Sequence, residues 1–182
     1  MQIQRTGDAA LVAELGTFAT QQENATWEAD DMYGNMTYWF RLDTPALLYP
    51  AAVALKAKGA RLTMVSACRR DTVGTSGRYI SYHFALKGIV YTLRVTLTDT
   101  EDFTPSITPI FANADWHERE MIELYGINVT GQPNDNRLFL DEKLDAGLLE
   151  GAVPLSVMMN GACTTDLWER VLNGREDGEE KK

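Results

Sequence analysis

The chain is poor in the residues that metal and redox chemistry require. It holds two histidines and two cysteines in 182 residues. Cys68 and Cys163 stand far apart, without CxxC or CxH spacing. Two thiols alone complete neither a tetrahedral zinc site nor an iron–sulfur cluster. Both are read as buried thiols in a reducing compartment. His117-Glu118 begins like a zinc-protease helix, but position 121 is methionine, where that chemistry needs a second histidine. The other histidine, His83, falls in a predicted strand. No metal site is expected.

Positive charge is also scarce. Seventeen Lys and Arg face twenty-six Asp and Glu, a formal net charge of −9. Phosphate backbones are bound by clustered cations, so nucleic acid is not an expected partner. Arg69-Arg70 is too small a cluster to change that. No apolar run reaches the roughly 18 residues of a membrane span, and the first residues lack a signal peptide's basic start and apolar run. Both point to the cytoplasm. There is no phosphate loop: Gly74-Thr75-Ser76-Gly77 lacks the following lysine and the helix opening. There is no GxSxG, and no serine is paired in sequence with a histidine and an acid. A search for a self-contained active site returns nothing.

What is present is an ordinary soluble composition, 45% hydrophobic and 24% charged. The length suits one domain with an added arm. Helical spacing of Leu11, Val12, Leu15 and Phe18 behind a capping Asp8 predicts a helix over 8–20. Residues 21–34 read as a polar loop, and 36–42 as a strand. Asp43-Thr44-Pro45 opens a helix that runs to about Lys58 and stops at Gly59. Pro50 either kinks that helix or marks its true start. Three strands follow over 61–69, 78–86 and 89–97. A turn-rich stretch over 71–77 separates the first two, and Lys87-Gly88 forms a two-residue turn between the others. In the last strand Ile89, Tyr91, Leu93, Val95 and Leu97 share one face. The three form an antiparallel meander. Residues 99–103 read as an acidic loop, 106–108 as an extended connection, 131–136 as a loop and 137–140 as a short extended segment. The fold class is therefore α+β: a mostly antiparallel sheet of about four strands with helices packed on it. The domain is expected over 1–140. A C-terminal arm comes next, over 141–173. It contains a helical turn at Leu144, Leu148 and Leu149, an apolar stretch over 154–159 and a short helix around Trp168. The charged tail over 174–182 is expected to be disordered.

One helix concentrates charge and aromatic groups: Ala114-Asp115-Trp116-His117-Glu118-Arg119-Glu120-Met121-Ile122-Glu123-Leu124-Tyr125. Asp115 is placed to cap it, with Glu118 three residues on as the capping-box partner. Gly126 marks a left-handed end. Glu118 and Glu120 point to different helix faces, so they do not converge on a substrate. Glu120 and Glu123 share a face, with Arg119 between their rows, and a salt-bridge network is the expected arrangement. Trp, Tyr and Arg are the residues enriched at interface hot spots. The residues alone lean towards an interface.

This stretch resembles a known family. Trp116, then Glu118-Arg119-Glu120, Glu123, Tyr125-Gly126-Ile127, Gly131, Pro133 and Arg137-Leu138-Phe139-Leu140 are similar to the signature of the 30 kDa subunit of respiratory complex I, the C subunit of the bacterial NADH-quinone oxidoreductase. The same module occurs in membrane-bound energy-converting [NiFe] hydrogenases. The likeness is specific over 112–140 and extends over about 35–140. Gln132 stands where the family has histidine. Asn134-Asp135-Asn136 is less basic than the complex I version, and Pro154-Leu155-Ser156-Val157 stands in for a basic segment. These departures tilt the reading towards a hydrogenase relative.

The resemblance implies a subunit without flavin, cluster or metal of its own. It would dock on the catalytic large subunit, near the iron–sulfur small subunit, with iron–sulfur clusters and a nickel–iron centre in those partners. It would reach the membrane only through the complex, on the cytoplasmic face. By the same carry-over, Glu118, Arg119, Glu120 and Glu123 hold the helix and its partner in register. Trp116, Tyr125 and Gly126 pack it, and Pro133 and Arg137 direct the following arm. The alternatives are the equivalent subunit of a complex I proper and a free-standing small-molecule-binding protein.

Overall fold

The computed structural model describes residues 7–20, 26–30, 36–72, 75–98, 102–134, 136–140 and 146–147. Helix α1 (Ala9–Gly16) is followed by strands β1 (Thr26–Asp30) and β2 (Met36–Arg41). A 3-10 turn (Pro45–Leu47) leads into α2 (Leu48–Ala57). The meander is β3 (Arg61–Thr72), β4 (Thr75–Leu86) and β5 (Ile89–Leu97). A short β6 (Phe103–Pro105), helix α3 (Ala114–Tyr125) and β7 (Asn128–Thr130) complete the described chain. The fold is α+β, as expected.

The main sheet has five strands in the order β1-β2-β5-β4-β3, and β2 and β5 run parallel. The expected sheet had about four. The additional strand, β1, lies within the stretch read as loop. Its reason is a long-range pair: Trp27 sits opposite Trp39 on β2, and the two indoles stack at 5.2 Å. Cross-strand aromatic pairs of this kind stabilise a strand whose own sequence is polar. β6 and β7 form a separate parallel pair.

Local chemistry accounts for the element ends. Asp8 accepts the amides of Ala10 and Leu11 at 3.0 and 3.2 Å and caps α1. That helix stops at Gly16, short of the expected residue 20. Phe18 and Thr20 instead bond with Asp43 and Arg41, tying the chain to the end of β2. Pro50 falls in the first turn of α2, where its missing amide hydrogen has no helical partner to lose, and the helix starts two residues before it. Gly59, at φ +82°, ends the segment. Lys87 and Gly88 both adopt positive φ, 52° and 81°, which makes the β4–β5 hairpin a two-residue turn with left-handed backbone at both positions. Strands β3 and β4 run further than expected, to Thr72 and from Thr75.

The core lies between α1, α2 and one face of the sheet. β5 presents Ile89, Tyr91, Leu93, Val95 and Leu97 inward, as its alternation predicted. Tyr38 stacks on Tyr91 at 5.4 Å, and their hydroxyls accept the amides of Gly7 and Asp8. Leu48 and Leu55 of α2 are fully buried, each worth about 1.5–3 kcal/mol. Val53, read from the sequence as part of the same stripe, faces outward. Among the described residues, no helix is long and apolar enough to cross a membrane. The arm over 141–173, apart from Ala146 and Gly147, and the tail over 174–182 lie outside the described residues, with Cys163, Trp168 and the apolar stretch over 154–159.

Candidate functional site

Helix α3 joins the small β6–β7 pair to the edge strand β3. It runs from Ala114 to Tyr125, and its ends differ from expectation at the start only. The cap position is Asn113, which makes no side-chain cap bond. Its side-chain amide donates instead to the Leu62 carbonyl at 3.0 Å and fastens the helix start to β3. Asp115 lies inside the first turn and pairs with Arg119 at 3.4 Å, so it is not the cap. An acid in that turn still favours the positive end of the helix dipole. Gly126 is left-handed, φ +60° and ψ +24°, as the sequence indicated.

Ala114, Glu118, Met121 and Tyr125 recur at helical spacing and turn towards the sheet. This puts Glu118 in the core, with 0% exposure. The capping box is therefore absent, and among the described residues Glu118 pairs with no cation. Its carboxylate accepts the Ser106 hydroxyl at 2.6 Å, the Ile107 amide at 2.7 Å and the Thr108 hydroxyl at 2.9 Å. Burial raises its pKa, against the opposing pull of those bonds. Nearby, Tyr82 is wholly buried with its hydroxyl 3.2 Å from Thr104, and burial pushes its pKa up strongly. Glu118 thus locks α3 to the 106–108 connection.

The other charged residues of the helix act on the chain beyond its C-terminal end. Glu123, 3% exposed, accepts the amides of Phe139 and Leu140 at 3.2 and 2.9 Å. Arg119 donates to the carbonyls of Asn136 and Arg137 at 2.7 and 2.6 Å. Gln132 reaches the Asp115 carbonyl at 3.4 Å. The backbone carbonyl of Glu123 receives the Gly147 amide at 2.9 Å. A methyl group added at Gly126 would meet the Gly147 Cα at 3.5 Å. The segment 136–140 therefore folds back on α3 through bends; it is not the extended run expected for it. Glu120 and Glu123 share no partner. Arg119 spends its donors within the chain, on Asp115 and the two carbonyls.

The other side chains of α3 and its loop are less enclosed. Trp116 is 69% exposed. The Glu120 side chain is 44% exposed, with His117 at 4.0 Å. Tyr125 is half-buried, and its carbonyl accepts Arg78 at 3.1 Å. Arg78 also pairs with Asp102. Pro133 is exposed and Arg137 half-buried. Of the nine residues singled out from the sequence, Glu118, Arg119 and Glu123 build the internal clamp, while Trp116, Glu120 and Pro133 face solvent. The partners Ser106 and Thr108 were missed. The signal was available: Glu118 sits at an apolar position of the Ala114–Met121–Tyr125 stripe, so a hydroxyl-rich neighbour was required. Among the described residues, no group of His, Cys, Asp and Glu could hold a metal ion.

Comparison with known proteins agrees with this architecture. The family described as respiratory-chain NADH dehydrogenase, 30 Kd subunit, matches residues 44–161. The C subunit of the NADH-quinone oxidoreductase of Mesorhizobium japonicum is 28% identical over 153 residues, 81% of this chain and 75% of that protein. Other C subunits of the same enzyme are matched over less than half of their length. Among solved structures, the trypsin-resistant fragment of Nqo5 shares the fold at a TM-score of 0.50 and 16% identity, over 69% of this chain and 96% of that one. A chain of the archaeal membrane-bound sulfane sulfur reductase does so at 0.56 and 12%, over 95% and 98%. The chain belongs to the family of the respiratory-chain NADH dehydrogenase 30 kDa subunit.

Proposed function

We propose that this chain is a non-catalytic docking subunit in the peripheral arm of a membrane-bound, ion-translocating oxidoreductase. It seats on the catalytic large subunit, beside the iron–sulfur small subunit, on the cytoplasmic face. The observation that carries this reading is Trp116. It stands 69% exposed on the helix that bears the family signature, and that helix is rigidly tied to the domain by Glu118, Arg119 and Glu123. A large aromatic held out on a fixed support is what an interface hot spot requires. By this reading the clusters and any nickel–iron centre belong to the partners, and the chain itself holds none.

Two types of complex fit. Gln132 and Asn134-Asp135-Asn136, which depart from the complex I pattern, favour an energy-converting [NiFe] hydrogenase. The names of the curated relatives favour an NADH-quinone oxidoreductase. A tagged chain isolated gently from native membranes, with mass spectrometry and metal analysis, separates them. Nickel and iron with a hydrogenase-like large subunit give the first. Iron with flavin-bearing subunits and no nickel gives the second. The chain recovered alone and metal-free overturns both. Trp116→Ala is expected to weaken recovery of the partners about tenfold or more while leaving the domain folded. Arg119→Ala is expected to act in the same direction by releasing the carbonyls at 136 and 137. If the Arg119 variant unfolds outright and shows no separate assembly defect, the clamp is scaffolding only.

A further inference from the structure

A groove of about 230 Å³ lies between β3 and the flank of α3. One wall is formed by residues 64–67 of β3, four in succession. Successive side chains of a strand point to opposite faces of its sheet. A groove touching all four therefore runs along the strand's edge and not over one face. That edge is open: β3 ends the sheet, and among the described residues it pairs with β4 alone. Asn113 ties off the Leu62 carbonyl, so the open stretch begins just where the groove does. The facing wall is the helical stripe of His117, Glu120, Met121 and Tyr125.

We propose that this groove receives an extended, lysine- or arginine-bearing segment of a partner protein, added as a sixth strand on β3 with its cation on Glu120. The proposal deepens the docking function and rests on it. An unpaired strand edge is a template for strand addition, in which the backbone supplies affinity and alternate side chains supply specificity. Met64, 53% exposed, offers apolar contact on the strand wall, and the half-buried Tyr125 on the helix wall. Charge selects the occupant. Glu120 is the carboxylate in the groove, and among the described residues the basic side chain beside it is the His117 imidazole, at 4.0 Å. This chain's own apolar stretch, Pro154-Leu155-Ser156-Val157-Met158-Met159, has no cation to offer. A second copy would set one net charge of −9 against another. A partner with a basic, apolar strand satisfies both the edge and the acid.

The test uses the complex isolated through the tagged chain, with the full chain alone as reference. Amide hydrogen exchange is followed at residues 64–67 in both. In the complex the alternate amides of this stretch, those that point away from β4, are expected to exchange about a hundredfold more slowly. Glu120→Lys is expected to abolish that protection and to weaken partner retention about tenfold, while Glu120→Gln, free of repulsion, loses less. Carbodiimide cross-linking then tests the source of the strand. A bond from Glu120 to a partner lysine supports the proposal. A bond to Lys181 or Lys182 of the same or a second copy overturns it. A complex that assembles with residues 64–67 exchanging as in the free chain also overturns it. Failure to recover any complex instead falls on the docking function itself.

Discussion

Replacing Glu118 by alanine removes the acceptor of three donors, two of them buried and the Thr108 hydroxyl partly so. The Ser106 and Thr108 hydroxyls can turn elsewhere, and the Thr108 amide already donates to the Ser106 oxygen at 3.2 Å. The Ile107 amide is fixed by the backbone, and leaving it unpaired costs about 1–3 kcal/mol. The lost methylene adds about 0.8 kcal/mol. The variant is therefore expected to be destabilised by about 2–4 kcal/mol, a shift of about 1–2 M in the urea midpoint for a chain of this size. Glu118→Gln keeps an acceptor for Ile107 and is expected to lose about 1 kcal/mol or less. The pH dependence separates the two effects. The folded carboxyl has a pKa above its ordinary 4.5, so the folded state binds this proton more tightly than the unfolded state. The associated stability is complete below the unfolded value and is lost as pH rises through the folded one. Wild-type stability, followed by tryptophan fluorescence in urea from pH 4 to pH 8, should carry this downward component. The Glu118→Gln variant should lack it. Equal midpoints for wild type and Glu118→Ala refute the reasoning, as do identical pH profiles for wild type and Glu118→Gln.

Glu123→Ala frees the amides of Phe139 and Leu140. Those two amides are expected to exchange at least tenfold faster with hydrogen, while α3 keeps its protection; unchanged exchange would mean that the carboxylate does not hold the segment. Gly126→Ala forces a side chain onto a left-handed residue and towards Gly147. The expected loss is about 1 kcal/mol, or about 2–4 °C in melting temperature by calorimetry.

Much of this architecture was legible because it is written in local periodicity. The alternation in β5, the capping Asp8 and the left-handed end at Gly126 are all properties of a few neighbouring residues. β1 was not legible, because its strand character comes from Trp27 meeting Trp39 across the sheet, and its own Thr-Trp-Glu-Ala-Asp is polar. The parallel pairing of β2 with β5 was not legible either, since it joins segments about fifty residues apart and leaves no mark in either. For the candidate site, the helix and its bounds were read almost to the residue. The partners of its charges were not. Charged residues in series suggest pairing with other charges, whereas here two of the acids bond mainly to neutral hydroxyls and amides.

That difference alters what the family signature can be for. A carboxylate buried by its own chain cannot also meet a partner's cation, so Glu118 and Glu123 act on a neighbouring subunit only through the shape they maintain. Glu118 fixes α3 to the 106–108 connection. Glu123 and Arg119 fix the segment 136–140 to α3, and so set the direction in which the chain leaves the domain. The remaining polar and aromatic groups are not enclosed in this way: His117 and Glu120 line the groove beside β3, and Trp116 is exposed. Substitutions on the inward set should therefore lower stability and, through it, assembly. Substitutions on the outward set should lower assembly alone. Measuring urea midpoint and partner retention together for Glu118→Gln, Glu123→Ala, Trp116→Ala and Glu120→Lys distinguishes the two sets. If Trp116→Ala lowers the midpoint as much as Glu123→Ala does, the division of α3 into a structural and a docking set of residues is wrong.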